Sequence, residues 1–151
     1  MAAAYVAVVG PGEATPAQEA DAEEVGRLLA EHGAILVCGG LGGVMAAACR
    51  GALTAGGLTV GLLPGPDRAA ANPWLSVAIP TGMGELRNGL VVRAADAVIA
   101  VGGGYGTLSE VALALKAGGT VIGLGGWDIE GVQPARTAEE AVGRALRPAR
   151  P

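Results

Sequence analysis

The sequence predicts an α/β fold in one Rossmann-like domain, residues 1–151, with a doubly wound parallel sheet and helices on both faces. Two observations carry this prediction. Short runs rich in Val, Ile and Leu alternate with longer segments rich in Ala and Leu, which is the pattern of strands alternating with crossover helices. The chain also has 151 residues, 51% of them hydrophobic, and this length suffices to bury a core of its own.

Six strands are predicted, each a short apolar run and most of them bounded by Gly or Pro. They cover residues 5–9, 34–37, 58–63, 75–79, 96–101 and 120–124. Because most of these runs have no polar face, we expect both faces of the sheet to be covered by helices.

Five helices are predicted between and after the strands, at residues 16–32, 44–55, 83–95, 107–117 and 137–146. Pro16 suits the first turn of a helix and Gly33 suits the position just past its end. A Thr-x-x-Glu capping signal at residues 137–140 begins the last helix. Residues 147–151 are expected to form a frayed tail.

Charge and composition exclude several classes of function. Lys and Arg number 10 against 14 Asp and Glu, a net charge of -4, so a concentrated basic face for nucleic acid is not expected. The only histidine is His32, which predicts no zinc site, and Cys38 and Cys49 are expected to be reduced thiols. The sequence does not open with a basic segment followed by an apolar one, and no apolar run reaches about 18 residues. We therefore expect a cytoplasmic protein that contacts no membrane.

Two glycine-rich loops follow predicted strands and precede predicted helices, at residues 38–43 and 102–106. Ligands of open parallel sheets bind beyond the carboxyl ends of the strands, and unpaired N–H groups at helix N-termini attract anions. We therefore predict that the two loops together hold a phosphate group. Neither loop contains the Gly-Lys-Ser/Thr of a Walker A motif, and the single lysine, Lys116, lies ten residues beyond Gly106. Close packing of strand and helix is the alternative role of each loop.

Two charged residues lie close to these loops in the predicted fold. Arg87 lies near the start of the helix after the fourth strand, where its guanidinium either pairs with a phosphate or stays solvated. Glu110 forms a Thr-x-x-Glu pattern with Thr107, and is either a capping residue or a carboxylate acting beside the phosphate. The irregular segment 64–73 is predicted to be a mobile lid, and Trp74 beside it either stacks on an aromatic ligand or belongs to the core.

Residues 103–110, GGYGTLSE, resemble the signature PGGxGTxxE of the Lonely Guy (LOG) proteins. Residues 38–45, CGGLGGVM, resemble the first loop of that family, GGGxxGLM, and Arg87 lies where the family has its catalytic arginine. LOG proteins are nucleoside 5'-monophosphate phosphoribohydrolases, which release a free base and ribose 5-phosphate. The resemblance covers residues 5–124 and implies that Arg87 and Glu110 are a catalytic pair beside phosphate-binding loops.

The sequence departs from LOG proteins at Gly102, where they have proline, and at Leu86 and Asn88, where Glu and Lys flank their arginine. It is more similar to a sister branch of the same SLOG superfamily, whose characterised members are molybdenum cofactor carrier proteins. The similarity lies in the short chain, VVGPG at residues 8–12, the pair Arg87-Asn88 and VGGGYGTLSE at residues 101–110. This branch implies binding of a phosphorylated pterin or nucleotide without turnover, with molybdenum cofactor as cargo and no cofactor required. Phosphoribohydrolase activity on AMP or a cytokinin riboside monophosphate stays open as the alternative.

The residues that we expect at the ligand are Gly39, Gly40, Gly42, Gly43, Met45, Arg87, Asn88, Gly103, Gly104, Tyr105, Gly106, Thr107 and Glu110. A pyridoxal phosphate lysine decarboxylase, an older label for the family, is excluded because Lys116 lies toward the far end of its helix. The resemblance also implies a homodimer or higher homo-oligomer. The small residues of the predicted helix 44–55 would allow close approach of a second copy.

Overall fold

The computed structural model describes residues 2–147, and in this range the chain forms one sheet of seven parallel strands. The strands are β1 (Tyr5–Val9), β2 (Ile35–Cys38), β3 (Thr59–Leu63), β4 (Val77–Pro80), β5 (Ala97–Val101), β6 (Thr120–Leu124) and β7 (Val132–Pro134). Their spatial order is β4-β3-β2-β1-β5-β6-β7, so the chain builds outward from β1 in one direction and then, from β5, in the other. The predicted doubly wound, Rossmann-like α/β fold is thereby confirmed.

Five α-helices within the described range cover the two faces of this sheet. They are α1 (Pro16–Glu31), α2 (Val44–Thr54), α3 (Arg87–Arg93), α4 (Tyr105–Lys116) and α5 (Ala138–Ala145). Helices α1, α2 and α5 pack with Val6 and Val8 of β1, while α3 and α4 pack with Ala7 and Val9 on the opposite face. Across residues 2–147, no helix is both long enough and apolar enough to cross a bilayer.

Four elements differ from the prediction by more than one residue, and one of them, helix α4, is described with the site. The predicted helix 83–95 is a 3-10 turn at Gly84–Leu86 followed by α3, because Gly84 has a φ of +60° that a continuous helix cannot contain. Strand β4 begins at Val77 instead of residue 75, and Leu75 packs against the core. Strand β7 is absent from the prediction because it has only three residues, Val-Gln-Pro, and two of them are exposed.

Several smaller expectations can be compared with the structure. The capping signal at residues 137–140 is present, with the Thr137 hydroxyl accepting the Glu140 N–H at 3.1 Å. Cys38 and Cys49 are free, buried thiols whose Sγ atoms lie 3.5 Å apart. Of the predicted frayed tail, residues 148–151 lie outside the described part of the chain.

The small residues of α2 pack against α1 of the same chain. A Cβ atom on Gly51 would lie 2.0 Å from the Glu23 carbonyl oxygen of α1, and one on Gly26 of α1 would lie 1.9 Å from the Ala48 oxygen of α2. Arg50 adds an ion pair to Glu23, with an N–O distance of 2.9 Å. The small side chains of residues 44–55 therefore serve a contact inside the chain, and the approach of a second copy to this helix stays a prediction.

Candidate functional site

A cleft of about 450 Å³ opens at the carboxyl edge of the sheet. The segments after β1, β2, β3, β4 and β5 contribute to it, and β1 and β5 are the two strands between which the direction of strand order reverses. The lining residues are Gly10, Pro11, Gly12, Leu41, Met45, Pro64, Glu85, Arg87, Asn88, Gly104, Tyr105, Gly106, Thr107 and Glu110. Ligands of doubly wound sheets bind at this position, so the cleft is the candidate site.

The N-terminus of α4 forms one wall of the cleft. Gly104 is the N-cap residue, no side chain caps this end, and the helical ladder begins with Leu108 N–H donating to the Gly104 oxygen at 2.8 Å. The N–H groups of the first three helical residues have no intrahelical acceptor, and a helix N-terminus carries a partial positive charge. Nothing lies within 4 Å of the position that a Cβ atom on Gly106 would occupy. This wall therefore offers open backbone donors to an anion.

Thr107 adds a side-chain donor to the same wall. Its residue surface is only 2% exposed, yet within the part of the chain that the structure describes its hydroxyl has no hydrogen-bond partner. Leaving a buried hydroxyl unpaired costs about 1–3 kcal/mol. An acceptor that reached this hydroxyl would remove the cost, and the described residues supply none.

The capping role considered for Glu110 is wrong. Helix α4 begins at Tyr105, two residues before the predicted start, so Thr107 and Glu110 both lie inside the helix. Both side chains are buried and both line the cleft. The glycine at position 104 explains the shift, because it serves as the N-cap itself.

Arg87 is buried at the floor of the cleft, and this excludes the solvated alternative. Its Nε donates to the Leu62 carbonyl oxygen at 2.9 Å, and its Nη1 donates to the side-chain oxygen of Asn88. The amide of Asn88 in turn donates to the Ser109 hydroxyl of α4 at 3.1 Å. The ion pairs formed among residues 2–147 do not include Arg87. The hydrogen-bond partners of the guanidinium are thus neutral, and no carboxylate among the described residues forms an ion pair with it. A buried charge without an ion-pair partner favours the binding of an anion.

Glu110 places a titratable carboxyl beside that arginine. Burial raises the pKa of the Glu110 carboxyl to about 7, and the Arg87 guanidinium partly opposes the rise. Near neutral pH this group is therefore divided between its acid and its carboxylate form. Such a carboxyl can donate or accept a proton, or can stabilise positive charge on a bound sugar.

The first glycine loop contributes less to the cleft than predicted. Only Leu41 and Met45 of residues 38–45 line it, while Gly39, Gly40, Gly42 and Gly43 do not. A Cβ atom on Gly39 would lie 2.8 Å from Arg87 Nη2, and one on Gly43 would lie 2.3 Å from the Pro11 oxygen. Close packing, the alternative role considered for this loop, therefore describes Gly39 and Gly43.

The N-terminus of α2 likewise contacts another part of the same chain. Val44 N–H donates to the Pro11 oxygen at 3.1 Å, so a carbonyl group from the loop after β1 occupies the position that an anion would take. This loop, Gly10–Gly12, lies between the two predicted loops because β1 separates β2 from β5. The predicted ligand residues did not include this loop, although Gly-Pro-Gly directly after the first strand is a recognisable signal of a loop at the ligand-binding edge of the sheet.

Of the remaining predicted residues, Gly103 lies behind the lining, against the indole of Trp127. The predicted lid, residues 64–73, contributes only Pro64, and its Asn72 donates to the Leu41 oxygen at 3.0 Å. Trp74 packs against the core, as one of its two alternatives predicted. Mobility of the segment 64–73 stays a prediction.

Metal-binding side chains are not grouped at this cleft. Among residues 2–147, no three His, Cys, Asp or Glu side chains are placed to hold a metal ion. The ionisable side chains that line the cleft are the buried Arg87 and Glu110 and the exposed Glu85 and Tyr105.

Comparison with known proteins identifies the family. The model of the SLOG cluster4 family matches residues 3–149. An uncharacterized protein of Archaeoglobus fulgidus is 46% identical over 138 residues, which are 91% of each chain. The structure of the molybdenum cofactor binding protein from the phototrophic bacterium Rippkaea orientalis is 39% identical, with a TM-score of 0.91 over 95% of this chain and 96% of that chain. The Moco carrier protein from Chlamydomonas reinhardtii is 36% identical, with a TM-score of 0.87 over 95% of each chain.

These matches extend over nearly the whole length of both chains, well beyond the two glycine loops. The resemblance that the sequence motifs indicated is confirmed, and the fold is that of the two solved neighbours. The chain belongs to the SLOG cluster4 family.

Proposed function

We propose that this protein binds a phosphorylated, nucleotide-like small molecule, and that its cargo is molybdenum cofactor held without turnover. One observation carries the proposal. The buried Thr107 hydroxyl has no partner among the described residues, and it lines the cleft beside the uncapped N-terminus of α4. A phosphate oxygen there would accept from the hydroxyl and from backbone N–H groups, while the Arg87 guanidinium would balance its charge.

The identity of the cargo is supported by similarity. Two solved structures that match nearly the whole chain are named for binding or carrying molybdenum cofactor. The cofactor combines a terminal phosphate with a pterin, so its phosphate suits the wall made by α4. Leu86 and Asn88 also replace the Glu and Lys that flank the arginine in LOG enzymes, and the side chain of Asn88 is hydrogen-bonded to Arg87.

The proposal is tested by mass spectrometry of the small molecules released when the purified protein is denatured. Release of a phosphorylated pterin, together with a rise in Tm when that pterin is added back, is the expected result. An Arg87→Met variant keeps the length of the side chain and removes its charge, so we expect it to release much less pterin. No change in Tm with any phosphorylated pterin or nucleotide would contradict the proposal.

Phosphoribohydrolase activity is the second candidate, and the Glu110 carboxyl is the observation that favours it. Cleavage of an N-glycosidic bond builds positive charge on the ribose, which a carboxylate beside the sugar stabilises. Glu110 lines the cleft together with Arg87. Incubation with AMP and with cytokinin riboside monophosphates decides the matter. Release of free base that Glu110→Gln abolishes identifies an enzyme, and binding without release leaves the carrier role.

The proposal includes a homodimer or higher homo-oligomer, formed through the face of the sheet that carries α3. Val77 and Ile79 of the edge strand β4 lie on this face, because Ile79 is in register with Leu62, which packs there. Helix α3 has only seven residues, and both β4 side chains remain exposed beside it. Leu86, in the 3-10 turn between β4 and α3, is 76% exposed and is a further apolar surface residue of this region.

The oligomeric state is measured by light scattering during gel filtration. We expect the wild type to exceed the mass of one chain, and Leu86→Glu to shift it toward the monomer because a charge would then be buried in the interface. Ala17→Glu makes the same change of charge on an exposed residue of α1, on the opposite face of the sheet, and is the control. A monomeric wild type would contradict this part of the proposal.

A further inference from the structure

Aromatic residues are scarce in this chain, and two of the four lie together at the N-terminus of α4, where Tyr105 lines the cleft. The sequence has two Tyr, two Trp and no Phe. The core is built from Val, Leu, Ile and Ala, with Trp74 only packed against its edge. Tyr105 and Trp127, in contrast, form a pair with ring centroids 6.1 Å apart and planes tilted by 36°.

Tyr105 has no evident structural task. It is the first residue of α4, lines the cleft, and is 85% exposed. A large apolar ring that the fold leaves in water gains nothing from burial in the core. Its position two residues before Thr107 places it directly beside the donors that would hold a phosphate.

Trp127 fixes the geometry of this pair. It belongs to the connection between β6 and β7, and its indole Nε1 donates to the Gly104 oxygen at 3.0 Å. The ring lies against Gly103, where a Cβ atom would come within 3.1 Å of the same nitrogen. Trp127 therefore supports the N-cap of α4 and at the same time leaves 40% of its surface exposed beside Tyr105.

We infer that Tyr105 and Trp127 form a docking surface for the planar heteroaromatic ring, purine or pterin, of the bound ligand. Exposed aromatic rings stack favourably on flat heterocycles, and stacking tolerates any of them because each has a π face. The inference rests on the proposed function, since a phosphate at the N-terminus of α4 places the rest of the ligand beside Tyr105. It also predicts how the ligand lies: its ring extends from the phosphate toward the connection between β6 and β7, and away from the segment 64–73.

The test separates the ring from the phosphate. AMP, a pterin monophosphate and ribose 5-phosphate are titrated into the wild type, Tyr105→Leu and Tyr105→Phe by calorimetry. We expect Tyr105→Leu to bind both ring-containing ligands about ten-fold more weakly and to bind ribose 5-phosphate as the wild type does. Tyr105→Phe retains the ring and should retain both affinities. Because the side chain is exposed, the variants should fold normally.

A fluorescence measurement tests the same inference without changing Tyr105. In a Trp74→Phe variant, Trp127 is the only tryptophan of the chain. We expect its emission to be quenched when AMP or the pterin monophosphate binds and to stay nearly constant with ribose 5-phosphate. Exchange of Trp127 itself is less informative, because its Nε1 also holds the Gly104 oxygen.

The outcomes distinguish this inference from the proposed function. If all three ligands bind and Tyr105→Leu weakens none of them, the docking surface is refuted while the phosphate site stands. If Tyr105→Leu weakens ribose 5-phosphate as much as AMP, the tyrosine acts on the phosphate site and the inference is again refuted. If none of the three binds to the wild type, the phosphate site fails and this inference fails with it.

Discussion

The two glycine-rich loops have similar compositions and differ where each enters its helix. In the loop 38–43, a Cβ atom on Gly39 or Gly43 would collide with Arg87 or with the backbone after β1. In the loop 102–106, Gly103 also packs, against Trp127, but a Cβ atom on Gly106 would meet nothing within 4 Å. Glycine therefore lets the protein pack on itself at Gly39 and Gly43, and leaves the backbone open to a ligand at Gly106. The number of glycines in a loop does not distinguish the two uses.

Exchange of Gly43 for Ala should have the largest effect on stability. The new methyl group would lie 2.3 Å from the Pro11 oxygen, and the φ of +63° is unfavourable for alanine. We expect a loss of about 3 kcal/mol in the free energy of unfolding, measured with urea. An unchanged urea midpoint would mean that this loop is not packed as described.

Gly106→Ala is the matched control at the other loop. Since residue 106 lies in the first turn of α4 and faces open space, alanine should leave stability unchanged or raise it by up to about 1 kcal/mol. The same methyl group enters the cleft, so the affinity for the phosphorylated ligand should fall. If both variants lost stability and neither lost affinity, the contrast between the loops would be wrong.

The two loops also differ in electrostatics, because Glu110, a buried carboxyl of raised pKa, belongs to the helix that follows the second loop. The pKa of Glu110 is about 7 in the folded chain and about 4.3 in an unfolded one. The folded state therefore binds more protons between these values, so the stability contributed by Glu110 is complete below about pH 4.3 and is lost as pH rises through about 7.

Glu110→Gln should remove this dependence. We expect the free energy of unfolding of the wild type to fall relative to that of the variant by up to about 3 kcal/mol as pH rises from 4.5 to 8. Urea unfolding at several pH values in this range measures it. All other carboxyls are common to both proteins, so the difference between the two curves isolates residue 110. Parallel curves would show that burial does not shift this pKa.

Most of the fold was predictable because apolar runs of different length directly reflect strands and helices. The strands β1, β2, β3, β5 and β6 each differ from prediction by at most one residue at either end. The errors lie where local pattern is weak. Gly84 interrupts a sequence that otherwise continues as a helix, and β7 is too short to carry a period.

The candidate site was predictable in part. The motif at residues 103–110 indicated a cleft wall, and the place of Arg87 after the fourth strand made it a candidate for the phosphate, but its pairing with Glu110 came only from the family resemblance. Strand order is what the sequence does not contain. Because β1 lies between β2 and β5, the loop Gly10–Gly12 enters the site and the loop 38–43 is displaced from it. The position of Trp127 beside Gly104 depends on the same long-range arrangement.

Thr107→Val tests the second loop with the smallest change. The substitution replaces the hydroxyl with a methyl group of similar shape, and the hydroxyl has no partner among residues 2–147. The ligand-free protein should therefore be as stable as the wild type or more stable by about 1 kcal/mol. Affinity for AMP or a pterin monophosphate, measured by calorimetry, should fall about ten-fold, because the hydrogen bond from the Thr107 hydroxyl to a charged phosphate oxygen is lost.

Thr107→Ser is the control, because it keeps the hydroxyl and should keep most of the affinity. Equal affinities for the Val and Ser variants would show that the hydroxyl faces no ligand, and would remove the observation on which the second loop is assigned to phosphate.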